Sequence, residues 1–316
     1  MKKSKAQSNR CKPGMESRRA GKTPAMGGQA VIEGVLMKGL KHYAVAVRRP
    51  DKRIHTEIFP LTPPAEKVAI LGWPIVRGVA NLFQMMSMGM SALTWSANQQ
   101  VEKEEREELT GGKLTLTIIF SILLALVLFK ALPLGMTKLL TLIFPAANNT
   151  ILFNIIDGLL RITIFVAYIA AISLMNDVKR LFQYHGAEHM SVHCLEAKKP
   201  LTVRNVAAFD PKHARCGTSF IFLVLIIAII VFSIVPIQQG FLSLLLWRIP
   251  LLLPIAGISY EVLRLSARHQ ESFLFRALSR PGIWLQNLTT RKPDADQIEV
   301  AIRSLKAVLI KEGSIE

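Results

Sequence analysis

Hydrophobic residues along this chain gather into long blocks separated by polar, basic stretches, a distribution that predicts helices embedded in lipid. A spanning helix takes about 20 mostly apolar residues. Four windows meet that length: Leu114–Leu134, Ile151–Met175, Thr218–Pro236 and Phe241–Leu265. Only Gln238-Gln239-Gly240 joins the last two, so the spans are expected as two antiparallel hairpins. Lys130 and Arg248, near span ends, are expected to snorkel towards water. Val68–Ala97 is also long and apolar, but Pro74, Arg77 and several glycines interrupt it. Its Met-rich face suits the membrane interface or the side of a bundle. Leu139–Ala147 is too short to span and is expected to dip into the outer leaflet.

Outside these blocks the periodicity changes. Gln29–Met37 and Tyr43–Val47 alternate in a strand-like way between glycine breaks, predicting a small β element near the N-terminus. Asp296–Ile310 has the spacing of an amphipathic helix. Glu102–Glu108 reads as a solvated helix face closed by Gly111-Gly112. The expected fold is a mainly α, polytopic membrane protein with about four transmembrane helices. Its segments are a basic disordered tail (1–22), an interfacial region with the β element (23–112), a first transmembrane hairpin (113–175), a His/Glu/Cys-rich cytoplasmic loop (176–216), a second hairpin (217–265) and a cytoplasmic C-terminal helical segment (266–316).

Composition fits this outline. Of 316 residues, 51% are hydrophobic and 19% charged, below the quarter or so usual for a soluble domain. A net charge of +17 raises the question of nucleic-acid binding. No RNA-stacking signature, helix-turn-helix or zinc-finger spacing accompanies it. The basic residues instead flank the apolar blocks: Lys179, Arg180, Lys198, Lys199, Arg204, Lys212 and Arg215 between spans two and three, and Arg264, Arg268, Arg276 and Arg280 after span four. The other two inter-span loops carry almost none, which places both termini and the central segment in the cytoplasm of a bacterial inner membrane. The basic tail, from Lys2 to Lys22, suits contact with anionic lipid or ribosomal RNA. Three cysteines exclude a disulfide scaffold, and no apolar core follows the basic N-terminus closely enough for a secretory signal.

The chemistry concentrates between the two hairpins. Four of seven histidines and two of three cysteines fall between His185 and Cys216. On a continuous helix with His185 at zero, His189 lies at about 40°, His193 at about 80°, Glu196 at about 20° and Glu188 at about −60°. All five share one broad sector, where ligands to a single ion would have to lie. His185-Gly-Ala-Glu188-His189 also has the H-x-x-E-H form of inverted zinc proteases, in which two imidazoles hold zinc and the glutamate acts as base. Glu196 is the nearest third ligand, with His193 as the alternative. The short interval from His189 to Glu196 favours metal binding over peptide cleavage. His213 and Cys216 either complete the site or cap and pack the start of span three. Cys194 reads as a small buried hydrophobe. Asp157 and Arg161, one turn apart, are expected to pair. Glu261, at the cytoplasmic end of span four, is a candidate extra ligand or supporting group.

Gly27-Gly-Gln-Ala-Val-Ile-Glu33-Gly-Val35, Tyr184–His189, Arg215–Phe220 and Gln286–Thr290 together resemble the YqhQ-like family of bacterial multi-pass membrane proteins. The resemblance covers nearly the whole chain after the basic tail. It implies a predicted metal-dependent enzyme with the histidines as ligands, and makes Glu33 a candidate functional residue. Met190 departs from the lysine frequent in that family after the second histidine. Three functions remain in view. The first is a metal-dependent, hydrolytic membrane enzyme with zinc held by His185, His189 and Glu196 and with Glu188 as base. The second is a non-enzymatic scaffold or insertion factor near the ribosome or translocon. The third is a transporter, which with so few spans would need a homo-oligomer.

Overall fold

A computed structural model describes residues 26–101, 111–214, 216–234, 240–269 and 272–314. The basic tail, the Glu102–Glu108 run, Arg215 and the Gln238-Gln239 joint lie outside the described residues. The fold is mainly helical, with one small sheet near the N-terminus.

The expected β element is a four-stranded antiparallel meander of β1 (Gly27–Val31), β2 (Gly34–Lys38), β3 (His42–Arg48) and β4 (Ile54–Pro60). Ile32 and Glu33 turn the chain between β1 and β2, and Glu33 takes the left-handed φ of 51° that so short a reversal demands. Gly34 is required because a Cβ there would meet the Ala46 carbonyl at 2.2 Å.

Successive side chains on a strand face opposite ways, and here both faces are covered. Leu36, Val45 and Val47 pack beneath Met88 and Ala92 of α1 (Val76–Gln100). Val35, Met37, Ala44 and Ala46 point the other way into a larger core. That core is completed by Tyr184, Ala187 and Met190 of one helix and Ile298, Ala301 and Leu305 of another. The sheet is thus the middle of three layers. The expected C-terminal helix begins at a reciprocal cap between Asp294 and Gln297 and lies against β2 and β3, where the Ser304 hydroxyl donates to the Ala44 carbonyl at 3.0 Å. α1 keeps Phe83, Met86 and Met90 exposed on its other face.

The apolar windows form a second layer of helices. α2 (Gly111–Leu126) opens at the two glycines expected to close the preceding helix and runs through a wider, π-helical turn at Val127–Ala131 into α3 (Leu132–Ile143). Pro133 lacks an N–H and crowds the carbonyl four residues back, and the wide turn relieves that clash. From Thr115 to Ile143 this is one apolar stretch of 29 residues, long enough to cross a membrane. Leu139–Ile143 therefore continues the first span instead of dipping separately into a leaflet. α4 (Thr150–Ile172), capped by Asn149, is the second crossing-length helix at 23 residues. α6 (Gly217–Phe232) is a shorter apolar helix. α7 (Phe241–Arg248) and α8 (Leu252–Arg268) meet at a 44° bend and together can make a third crossing. Among the described residues two helices, or three with the bent pair counted as one, meet the length and composition requirement for crossing, so four crossings are not confirmed.

Two expectations about charges need correcting. Arg248 does not snorkel: it is 2% exposed, and its guanidinium bonds Asp157 at 3.0 Å and Asn154 at 2.5 Å. Lys130 lies over the Phe232 ring, 5.3 Å from its centroid. Asp157 and Arg161 do pair, at 2.7 Å.

α4 does not continue into the histidine-rich segment. The Ser173 hydroxyl turns back to the Ala170 carbonyl, Met175 is extended, and a new helix starts at Asn176 with Asp177 in its first turn. This helix, α5 (Asn176–Glu196), leaves the apolar layer and packs on the sheet. α9 (Phe273–Thr289) and α10 (Ala295–Lys311) complete the described fold.

Candidate metal centre

On α5 the side chains of His185, Glu188, His189, His193 and Glu196 follow one stripe, as residues three or four apart must. Whether they meet depends on what faces the stripe. Two segments do: the irregular stretch from Ala207 to Ala214 with Cys216, and the end of α9.

Gly186 permits the approach of the second. A Cβ on Gly186 would sit 2.1 Å from the Arg291 carbonyl oxygen. Without one, the chain after α9 lies directly on α5, and Arg291 N–H donates to the Phe182 carbonyl at 2.9 Å. That contact brings the Thr289 carbonyl within 2.8 Å of His185 Nδ1. A carbonyl only accepts, so Nδ1 carries the proton and Nε2 keeps its lone pair. The same logic applies to His189, whose Nδ1 lies 2.7 Å from the Pro211 carbonyl. In the neutral rings the lone pair is thus on Nε2, the arrangement found when a metal-binding histidine is held through its other nitrogen.

These atoms converge on a thiol. His185 Nε2 lies 3.2 Å from Cys216 Sγ, and the His185 and His189 rings are 4.4 Å apart between centroids. One ligand atom from each of His185, His189 and Cys216 falls within 4.8 Å of the others. Cys216 also caps α6, accepting from the Thr218 amide and hydroxyl at 3.5 and 3.3 Å. Burial raises its thiol above the ordinary value, and the two Thr218 bonds oppose that shift. Burial, helped by the neighbouring His185, pushes His189 down to about 2, which keeps this imidazole neutral.

A second group lies alongside. His193, Glu196 and His213 also bring one ligand atom each within 4.8 Å. His193 Nε2 bonds the Lys212 carbonyl at 2.8 Å, leaving Nδ1 as its lone-pair nitrogen, and His213 Nε2 approaches Glu196 Oε2 at 3.4 Å. The ring centroids of His193 and His213 are 4.4 Å apart, and those of His189 and His213 5.7 Å. The stripe therefore does not supply one ion with all its ligands. Glu196 and His193 join His213, and Cys216 joins His185 and His189.

Glu188 borders the first group. It is 5% exposed, and its Oε2 is buried without a hydrogen-bond partner. Burial pushes its carboxyl up to about 7, with Cys216 adding to the rise while His185 and the Gly28 amide oppose it. β1 supplies the lid: a Cβ on Gly28 would approach the Glu188 carboxyl carbon to 3.1 Å. An orphaned buried carboxyl oxygen beside a His2Cys donor set suits a cation with an open coordination position.

Two candidates lie elsewhere. Glu33 forms an ion pair with Arg180, 2.5 Å at Oε2, and accepts from the Tyr184 hydroxyl at 3.2 Å. It ties the β1–β2 turn to α5 one turn before His185. Glu261 bonds Arg77 at 2.7 and 2.5 Å where α8 meets α1, apart from both groups. Cys194 is fully buried in the sheet-facing core, as is Met190 to within 1%.

Sequence reasoning gave no role to Gln286 or Thr289. Gln286 is fully buried, accepts from His213 N–H and donates to the His213 carbonyl, both at 2.8 Å. The signal was present in the Gln286–Thr290 string, which sits far along the chain from the histidines.

A membrane-associated helical protein with a buried imidazole–thiol cluster is the class these features define. The chain belongs to the family described as protein of unknown function DUF1385, whose model matches residues 73–311 and so includes both ligand groups. It is also similar to the uncharacterized protein YqhQ of Bacillus subtilis (strain 168), 33% identical over 306 residues that cover 93% of this chain and 95% of the relative. No solved structure matches.

Proposed function

We propose that this protein is a metal-dependent membrane hydrolase whose centre is His185, His189 and Cys216, with Glu188 as its proton acceptor. The observation that carries this reading is the matched anchoring of the two imidazoles through Nδ1 by the Thr289 and Pro211 carbonyls, with His185 Nε2 at Cys216 and a ligand atom of each of the three residues within 4.8 Å of the others. A divalent cation held there, zinc by the imidazole–thiolate set, would supply Lewis acidity. The residues of the chain do the rest. His185, His189 and, as its thiolate, Cys216 would hold that cation, and Glu188 Oε2, buried beside them, would be the atom that takes and returns a proton. His193, Glu196 and His213 form a His2Glu set that can take a second ion.

The centre lies on the cytoplasmic side of a bacterial inner membrane in this reading. The same face carries Lys179, Arg180, Lys198, Lys199, Arg204 and Lys212. Elemental analysis of the purified protein tests the proposal. Stoichiometric zinc is expected in the wild type and in Glu188→Gln, and its loss in His185→Ala/His189→Ala and in Cys216→Ser. Metal-free wild-type protein refutes the centre; loss of metal in Glu188→Gln refutes the base.

A second reading rests on the exposed Trp73, Phe83, Met86 and Met90, which offer an adaptable apolar surface for a scaffold or insertion factor near the translocon. Crosslinking from Met86 in cells supports it if ribosomal or translocon components are captured, and counts against it if lipid alone is.

A further inference from the structure

The apolar helices enclose a group of charges that the metal centre does not use. Lys130 stands in the π-helical turn near the middle of the Thr115–Ile143 helix, Asp157 lies in the first half of α4 and Arg161 at its midpoint. Arg248 enters from the bend between α7 and α8. All three cations face one ring: Lys130 Nζ is 5.3 Å from the Phe232 centroid, Arg161 Cζ 5.3 Å and Arg248 Cζ 4.8 Å. Phe232 is 1% exposed, Arg161 3% and Arg248 2%.

Their compensation is incomplete. Asp157 Oδ2 accepts from Arg161 at 2.7 Å and Arg248 at 3.0 Å, and Asn154 accepts from Arg248 at 2.5 Å. Among the described residues no second carboxylate pairs with these cations. Three cationic side chains against one carboxylate leave an excess of up to two positive charges, offset by the face of Phe232 and, for Arg248, also by Phe153 at 6.0 Å. Arg161 Nε and Arg248 Nε are buried donors with no partner, and Asp157 Oδ1 is a buried acceptor with none. Charges in a lipid environment face one another or a functional pathway, and π-helical turns gather at functional sites.

We infer that Lys130, Arg161 and Arg248 form an intramembrane binding site for a terminal phosphate group, either a phosphomonoester or the free anion. Three features select that chemistry. Guanidinium forks match the spread oxygens of a phosphoryl group. A phosphomonoester carries up to two negative charges, equal to the excess. In its singly protonated form, which carries one charge, it instead offers an O–H to Asp157 Oδ1, which a carboxylate ion or a halide does not. Lys130 is the least buried of the three cations. The oxyanion comes either as the headgroup of an anionic lipid or as free phosphate.

The test uses full-length protein in phosphatidylcholine nanodiscs, with phosphatidic acid in the bilayer or inorganic phosphate in the buffer as probes. Thermal stability and native mass spectrometry are the readouts. The wild type is expected to gain stability and to retain one probe molecule. Retention of phosphatidic acid alone assigns the lipid headgroup, and retention of phosphate as well assigns the free anion. Lys130→Met leaves the Asp157–Arg161–Arg248–Asn154 bonds in place and is expected to bind about tenfold more weakly, as loss of one charged hydrogen-bond donor implies. Lys130→Arg restores binding. If neither probe is retained, or Lys130→Met binds as tightly as the wild type, the cluster is a structural network and the inference fails.

Discussion

The missing side chain of Gly186 and the carbonyl of Arg291 claim the same space, since a Cβ on one would stand 2.1 Å from the oxygen of the other. Gly186→Ala is therefore expected to displace the chain after α9 and withdraw the Thr289 carbonyl from His185. Overpacking costs about 1–3 kcal/mol, against about 1 kcal/mol that alanine returns in helix propensity. Metal content should fall with no gain in thermal stability. Gly217→Ala, whose Cβ would meet nothing within 4 Å, is the control and should keep its metal. Full metal occupancy in Gly186→Ala would show that the α9–α5 contact does not set the centre.

Removal of metal should be visible as lost stability. A ligand present at 100 times its dissociation constant stabilises the folded state by about 2.7 kcal/mol. A chelator should therefore lower the melting temperature of the wild type more than that of His185→Ala/His189→Ala, which keeps only the His193–Glu196–His213 set. Equal shifts in the two proteins would mean that the chelator acts elsewhere.

Glu33→Gln separates anchoring from chemistry. The Glu33–Arg180 pair is partly exposed, with side-chain accessibilities of 22% and 48%, so its loss should cost only about 0.2–1 kcal/mol. Metal content should stay at the wild-type level. A metal-free Glu33→Gln protein would place this carboxylate in the centre after all.

Asp157→Asn should be far more damaging than its conservative appearance suggests. It leaves Arg161 and Arg248 buried beside one another without a counter-charge, at a cost of about 3–5 kcal/mol. Unfolding in mixed micelles measures it. A change below about 1 kcal/mol would show that the cluster is already neutralised by another group.

Some of this architecture was legible in the sequence because it is local. Alternation and glycine breaks located the sheet, the apolar periodicity of Asp296–Ile310 located α10, and the i, i+4 spacing put His185 and His189 on one face. What was hidden depends on contacts between distant segments. Nothing near Glu196 tells that His213 will stand beside it, because the irregular chain after Ala207 folds back to bring it there. Cys216 reaches His185 by the same route. Arg248 read as a snorkelling end residue because its partners, Asn154 and Asp157, are more than 90 positions earlier, with sequence separations of 94 and 91. The break at Ser173–Met175 carries neither proline nor glycine, so hydropathy alone ran the second apolar window through it.

The hold that Gln286 has on His213 sets an order of events during synthesis. Every proposed ligand has left the ribosome's peptidyl-transferase centre by Cys216, yet Gln286 follows His213 by 73 residues. At about 5–20 residues per second that is a wait of roughly 4–15 s. A nascent chain in that interval owns all its donor atoms and lacks the two clasps, Gln286 and Thr289, that aim them. Early capture of a wrong ion would thus be loose and reversible, and selectivity would arrive only with the closing helix.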